Sequence, residues 1–181
     1  LIVYELDGSI LWSKDVPSSG LYPDITVSDI DNDGYDEILI YLSLIGDSGT
    51  EVHAFNHDGT VLDGWPSKGF HVAGGGILVE DLDRDGLKEI IFPIWNGNSK
   101  DLMILNSEGE IVNRINKRID FNGVNNYEIY YTVGNYDEDE DLEIVIPERF
   151  GDSYGDVKIA IYNMDGSLVA ETPTFNNVYV H

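Results

Sequence analysis

The chain has no cysteine, only ten basic residues and four histidines in 181 positions, and each scarcity narrows what it can be. Without cysteine, disulfides contribute nothing, thiol nucleophiles are excluded, and the redox compartment leaves no trace. Ten lysines and arginines face 34 aspartates and glutamates, a net charge of −24 that repels nucleic acids and anionic membrane surfaces. The longest apolar stretch, around Ile38–Ile45, is far short of the ~20 residues a membrane helix needs. No window repeats apolar residues at helical spacing over three turns. His53, His57, His71 and His181 are scattered, and no serine sits in a nucleophile motif, so nucleophilic catalysis has no support. There is no leader-like segment either. The chain opens directly on the strand-like LIVYEL, and the expectation is that natural sequence precedes it.

What remains is an ordinary globular composition, 42% hydrophobic, so the acidity does not signal disorder. It fits bound cations, a high-salt habitat, or both. The acids are also patterned. DIDNDGYDEILI (29–40), DLDRDGLKEIIF (81–92) and NYDEDEDLEIVI (135–146) each place acids at alternate positions just ahead of an apolar strand. Between them recur LDGSIL (6–11), HDGTVL (57–62), SEGEIV (107–112) and MDGSLV (164–169), at spacings of 51, 50 and 57 residues. An Asp-Gly or Glu-Gly pair between short strands is a hairpin signal, because glycine accepts the positive φ such turns require.

The repeating unit therefore runs strand A, acidic loop, strand B, variable loop, strand C, tight turn, strand D. Strands are expected at 25–28, 37–42, 51–56 and 60–62, then at 77–80, 89–94, 102–106 and 110–115. The last set is 128–133, 143–147, 157–163 and 167–170. Four antiparallel strands recurring every ~50 residues predict an all-β fold of β-propeller blades. The units divide as 1–21 (strands C and D only), 22–73, 74–123, 124–174, and 175–181, the start of a further strand A. Three complete blades flanked by a half-blade and a stub predict a segment of a longer chain or of an assembly. GGG at 74–76 lacks the setting of a phosphate loop and reads as a bend entering strand A. Trp12, Trp65 and Trp95 read as core or blade-packing residues, with stacking on a sugar the alternative for Trp95, which borders a loop.

Counting from the first polar residue of each loop, side-chain oxygens are offered at positions 1, 3, 5 and 9. These are Asp29, Asp31, Asp33 and Glu37; Asp81, Asp83, Asp85 and Glu89; and Asn135, Asp137, Asp139 and Glu143. Position 7 (Tyr35, Leu87, Asp141) offers its backbone carbonyl, and glycine at position 6 allows the bend. An all-oxygen cage rich in carboxylates suits Ca²⁺; Mg²⁺ demands tighter geometry, and zinc finds neither histidine nor cysteine here. An EF-hand would need a glutamate at position 12, where Ile40, Phe92 and Ile146 stand instead. The third loop departs from the others, with Asn135 in place of an acid and Glu140 in the glycine position, where a left-handed bend would be strained. Two calcium sites are expected, and a third that is weaker or empty.

The pattern D-x-D-x-D-G-x-x-[DE] before an apolar strand, with segments such as VHAFNHDGTVLDGWP (52–66), resembles the FG-GAP (VCBS-type) repeat. That repeat is the calcium-loop blade of integrin α-subunit propellers and many microbial surface proteins. The resemblance implies that the calcium loop joins strands A and B, with the ligands already named. It also implies an extracellular or cell-surface, non-enzymatic module for binding, adhesion or assembly. The alternatives are part of a propeller enzyme or carbohydrate-binding module, such as a polysaccharide lyase, or a surface-layer or filament subunit. In an up-and-down blade the acidic loops and tight turns share one face. The variable loops at 46–50, 96–100 and 151–156 lie on the other, with Lys14, Lys68, Lys100, Lys117, Arg118 and Arg149 in or beside its connections. A protein or glycan partner is expected on that second face.

Overall fold

The structure, a computed structural model, describes residues 1–16, 24–43, 49–73, 75–97, 99–116, 131–150 and 156–176. Among them are fourteen strands and no helix. Strands β1 (Ile2–Tyr4) and β2 (Ile10–Ser13) form a two-stranded antiparallel sheet. Three four-stranded antiparallel sheets follow, each a meander in chain order. The second sheet is β3 (Ile25–Ser28), β4 (Glu37–Ser43), β5 (Thr50–Phe55) and β6 (Ser67–Phe70). The third is β7 (Leu78–Glu80), β8 (Glu89–Asn96), β9 (Ser99–Leu105) and β10 (Ile111–Ile115). The fourth is β11 (Thr132–Gly134), β12 (Glu143–Phe150), β13 (Asp156–Tyr162) and β14 (Leu168–Glu171).

The sheets stack in sequence order because their inner strands are apolar on both faces. In β8, Ile90, Phe92 and Ile94 join Leu39, Val52 and Ala54 of the second sheet in one buried cluster. Ile91, on the opposite face, joins Leu142, Ile144 and Ile146 in another. A strand covered on both sides reads as a near-continuous hydrophobic run rather than an alternating one. A smaller cluster, Ile40 and Phe55 with Leu1, Trp12 and Val16, ties the first sheet to the second.

Each Asp-Gly or Glu-Gly hairpin turns through four residues closed by a glycine N–H to carbonyl bond, such as Gly59 N–H to Asn56 O at 2.8 Å. The next residue's carbonyl then accepts from the first, Asn56 N–H to Thr60 O at 2.9 Å. This is a turn plus glycine bulge, one residue longer than the two-residue connection expected from sequence, and it places a register shift in the strand pair that follows it.

These turns receive a pin from the preceding sheet. Trp12 Nε1–H donates to His57 O (2.9 Å), Trp65 Nε1–H to Ser107 O (2.9 Å), and Asn113 Nδ2–H to Met164 O (2.7 Å). In all three the acceptor is the residue two before the turn glycine. Trp12 and Trp65 thus pack between sheets as expected, whereas Trp95 is 41% exposed with the Lys100 ammonium 4.9 Å from its ring centre.

One strand lies elsewhere than the sequence suggests. The fourth strand of the second sheet was expected at 60–62, but Val61 makes a single bridge to Phe55 and the pairing resumes only at β6. Between them Leu62 and Trp65 turn inward into the core, and burying an indole with its N–H satisfied outweighs an unbroken ladder. Gly75 and Gly76 form the bend before β7, both at positive φ. Of the strand expected at 128–133, residues 128–130 lie outside the described residues. Phe175 bridges Val157 at the edge of the fourth sheet, and 177–181 also lie outside the described residues.

Candidate metal centre

The three acidic loops join the first and second strands of their sheets, at the same sheet ends as the hairpin turns. In the second sheet the Tyr35 ring stacks on the His57 ring at 4.2 Å, loop against turn. Each loop folds on its own amides. Asp29 accepts from the N–H groups of Asp33 (3.2 Å) and Gly34 (3.1 Å), and Asp81 from Gly86 (3.2 Å). The carboxylate at position 3 accepts from the amide at position 5: Asp31 from Asp33, Asp83 from Asp85, Asp137 from Asp139. The one at position 5 accepts from the amide at position 7: Asp33 from Tyr35, Asp85 from Leu87, Asp139 from Asp141. Carboxylate oxygens of Asp29, Asp31 and Asp33 lie within 4.8 Å of one another, as do those of Asp81, Asp83 and Asp85. In the third loop carboxylate oxygens of Asp137, Asp139 and Glu143 lie equally close together.

The glutamate at position 9 closes each loop from beneath. Glu37 accepts from Ile30 N–H (2.9 Å), Glu89 from Leu82 N–H (2.8 Å), and Glu143 from Tyr136 N–H. Glu37 and Glu143 are 0% exposed and Glu89 is 5% exposed. One oxygen of each of these bonds is used. The other oxygen of Glu37, the other oxygen of Glu143 and Asp81 Oδ1 are buried with no hydrogen-bond partner among the described residues. A buried, half-satisfied carboxylate is expensive unless a cation or proton compensates it. Burial accordingly pushes Glu37 above its ordinary range, against the bond from Ile30 N–H, and Asp31, Asp33 and Asp29 add to the rise. For Glu89 burial, with repulsion from Asp83, Asp85 and Asp81, raises the value to about 7. The donor set is oxygen throughout, as a hard divalent ion prefers; Asp81 and Glu143 belong to their clusters, whereas Glu37 and Glu89 do not come within the same distance of all three aspartates of theirs.

The third loop follows a different backbone path. Positions 4 and 6 are left-handed in the first two loops: Asn32 (φ 62°) and Gly34 (φ 93°), Arg84 (φ 59°) and Gly86 (φ 93°). Neither Glu138 nor Glu140 has a positive φ, so the strain expected at Glu140 is absent because the loop avoids that conformation. Asn135 turns its side-chain amide to Asp139 O at 2.6 Å.

Contacts between loops carry no sequence signal. Leu142 N–H donates to Leu82 O (2.7 Å), and Arg84 Nε–H donates to Glu140 O (3.0 Å). Lys88 Nζ reaches Ser28 Oγ at 2.8 Å, tying the second loop to the strand that enters the first.

The described bases assigned to the opposite face all have partners within the protein, although the Lys68 side chain stays 59% exposed. Lys14 reaches back to Gly59 O (2.7 Å), in a hairpin turn on the acidic side, and Lys68 pairs with Glu51 (2.8 Å). Lys100 is buried beside Trp95. Lys117, Arg118, loop residues 46–48 and 151–155, and the Arg149 side chain lie outside the described residues. A further polar cluster joins Tyr162 to Glu148 and Lys158 to both Glu148 and Glu171. Burial pushes the Tyr162 phenol well up, which keeps it a donor to Glu148.

No family model matches this chain. No curated protein matches it. Among solved structures it is similar to the V. cholerae biofilm matrix protein Bap1, at 19% identity and a TM-score of 0.40. The match covers 91% of this chain and 31% of that one, so the chain spans about a third of its length.

Proposed function

We propose that the chain is a calcium-stabilised β-propeller module of an extracellular or cell-surface protein, serving binding, adhesion or assembly rather than catalysis. The observation that carries the calcium assignment is the set of buried, unpartnered carboxylate oxygens beside the aspartate clusters. In the first two loops the ion's ligands are Asp29, Asp31, Asp33 and Glu37, and Asp81, Asp83, Asp85 and Glu89, with the carbonyls of Tyr35 and Leu87. Asp137, Asp139 and Glu143 form the third site, beside Asn135 and Asp141. The propeller assignment is supported by meandering sheets that stack in chain order and by the pin repeated at three sheet junctions. Sites of this kind in extracellular modules bind at about 10⁻⁴–10⁻³ M, matched to calcium outside cells. A protein or glycan partner on the face opposite the acidic loops remains part of the proposal.

The test is a thermal melt in excess EGTA, with calcium and then magnesium added back. At free calcium ten- to a hundredfold above Kd, each site should stabilise the fold by roughly 1.4–2.7 kcal/mol. Loss of the calcium response in Asp31→Ala and Asp83→Ala variants supports the proposal. A folded chain that melts identically with and without calcium refutes it.

A further inference from the structure

We infer that the second and third acidic loops form one coupled cation unit, in which filling the second loop organises the third. The inference rests on the proposal that the loops bind calcium.

A continuous path joins the two. Glu89, at the base of the second loop, accepts from Leu82 N–H, and Leu82 O accepts from Leu142 N–H, whose chain neighbour Glu143 closes the third loop. Leu82 is fully buried and Leu142 nearly so, which shields the path from water. A second link runs across the surface from Arg84, between Asp83 and Asp85, to the carbonyl of Glu140, between Asp139 and Asp141.

Both links start at residues that a cation in the second loop would immobilise. With Asp81, Asp83 and Asp85 drawn to one ion, the left-handed backbone of Arg84 is fixed and its guanidinium is held over Glu140. The third loop has no left-handed residues of its own and takes part of its shape from these two contacts. Ordering it in advance raises its affinity, with no further change in its ligands. Repulsion between the ions is limited: four carboxylates against Arg84, Lys88 and one divalent ion leave the filled second loop near neutral. The first loop is joined to its neighbour differently, by Lys88 to Ser28 Oγ.

Calcium titration calorimetry on the whole chain, with the first loop silenced by Asp31→Ala, isolates the pair. Asp83→Ala added to this background should weaken the third site by about five- to a hundredfold. Arg84→Asn, which copies the left-handed Asn32 of the first loop, should weaken the third site in the same direction. It should not weaken the second, measured with the third silenced by Glu143→Gln. By reciprocity, silencing the third site should weaken the second by the factor seen for the third. A third site whose affinity ignores both Asp83→Ala and Arg84→Asn overturns the coupling and leaves calcium binding intact. No heat at either site in the Asp31→Ala background overturns calcium binding in these loops, and the coupling with it.

Discussion

Replacing Glu89 by glutamine should stabilise the calcium-free protein at alkaline pH while lowering its gain from calcium. In the folded chain Glu89 keeps its proton up to about pH 7, against an ordinary value of 4.5. Between those values the unfolded state binds fewer protons than the folded one, so stability falls as pH rises and then levels off above about 7. At ~1.4 kcal/mol per unit, ionising this carboxyl costs the folded state about 3 kcal/mol by pH 8.5 and under ~1 kcal/mol at pH 5. Glutamine keeps the acceptor for Leu82 N–H and removes the charge. In EDTA at pH 8.5 the variant should therefore melt about 6–12 °C above the parent, and at pH 5 only a few degrees above it. Calcium should reverse the order, because the parent gains a carboxylate ligand that the variant lacks. The assay is a melt followed by circular dichroism at the two pH values, with EDTA and with calcium. A variant that melts below the parent in EDTA at pH 8.5, or a gap that ignores pH, refutes this account of the buried acid.

Two other expectations concern stability without metal. Gly8→Ala and Gly59→Ala meet the same backbone penalty, since both glycines have φ near +84°, within a degree of the observed values of +85° and +83°. A Cβ at Gly59 would also lie 2.8 Å from the Trp12 ring, whereas at Gly8 no atom of the described residues is within 4 Å. Gly8→Ala should cost about 1–2 kcal/mol and Gly59→Ala a further ~1–3 kcal/mol, and equal costs in urea unfolding would disprove the packing term. Arg114→Ala strips the buried Asp101 of bonds at 2.6 and 2.7 Å to the oxygen that Asn96 also reaches, and should cost about 3 kcal/mol. If Asp101→Asn combined with Arg114→Met costs as much as Arg114→Ala alone, the stranded charge is not the cause.

Much of this architecture was legible because its signals are local. The alternate aspartates, the glycines at 34 and 86 and the four hairpin turns each act within a few residues, so they mark the loops and strand ends directly. The buried middle strands were readable for the same reason, since EIIFPIWN is apolar on both faces. What is not legible depends on partners 40 to 60 positions away. Trp65 pulls its segment into the core and displaces the fourth strand of its sheet, which a ladder extrapolated from the turn cannot foresee. Lys14 could be placed near a connection by sequence, but not its reach to Gly59. The third loop's path turns on Glu140 avoiding a left-handed bend, and its link to Arg84 leaves no pattern within either loop.

The pins also bear on how such units can be recombined. Every accepting turn offers the same parts, a backbone carbonyl and a glycine two residues on, so one turn can replace another without altering the seam. The donors are not equivalent. Trp12 lies flat against Gly59 and Trp65 against Gly109, while Asn113 comes no closer to a Cβ at Gly166 than 3.7 Å. An asparagine grafted where an indole belongs would keep the hydrogen bond and open a void. Exchange between units should thus be permissive on the turn side and restrictive on the donor side, which gives the order of the sheets a direction written into their joints.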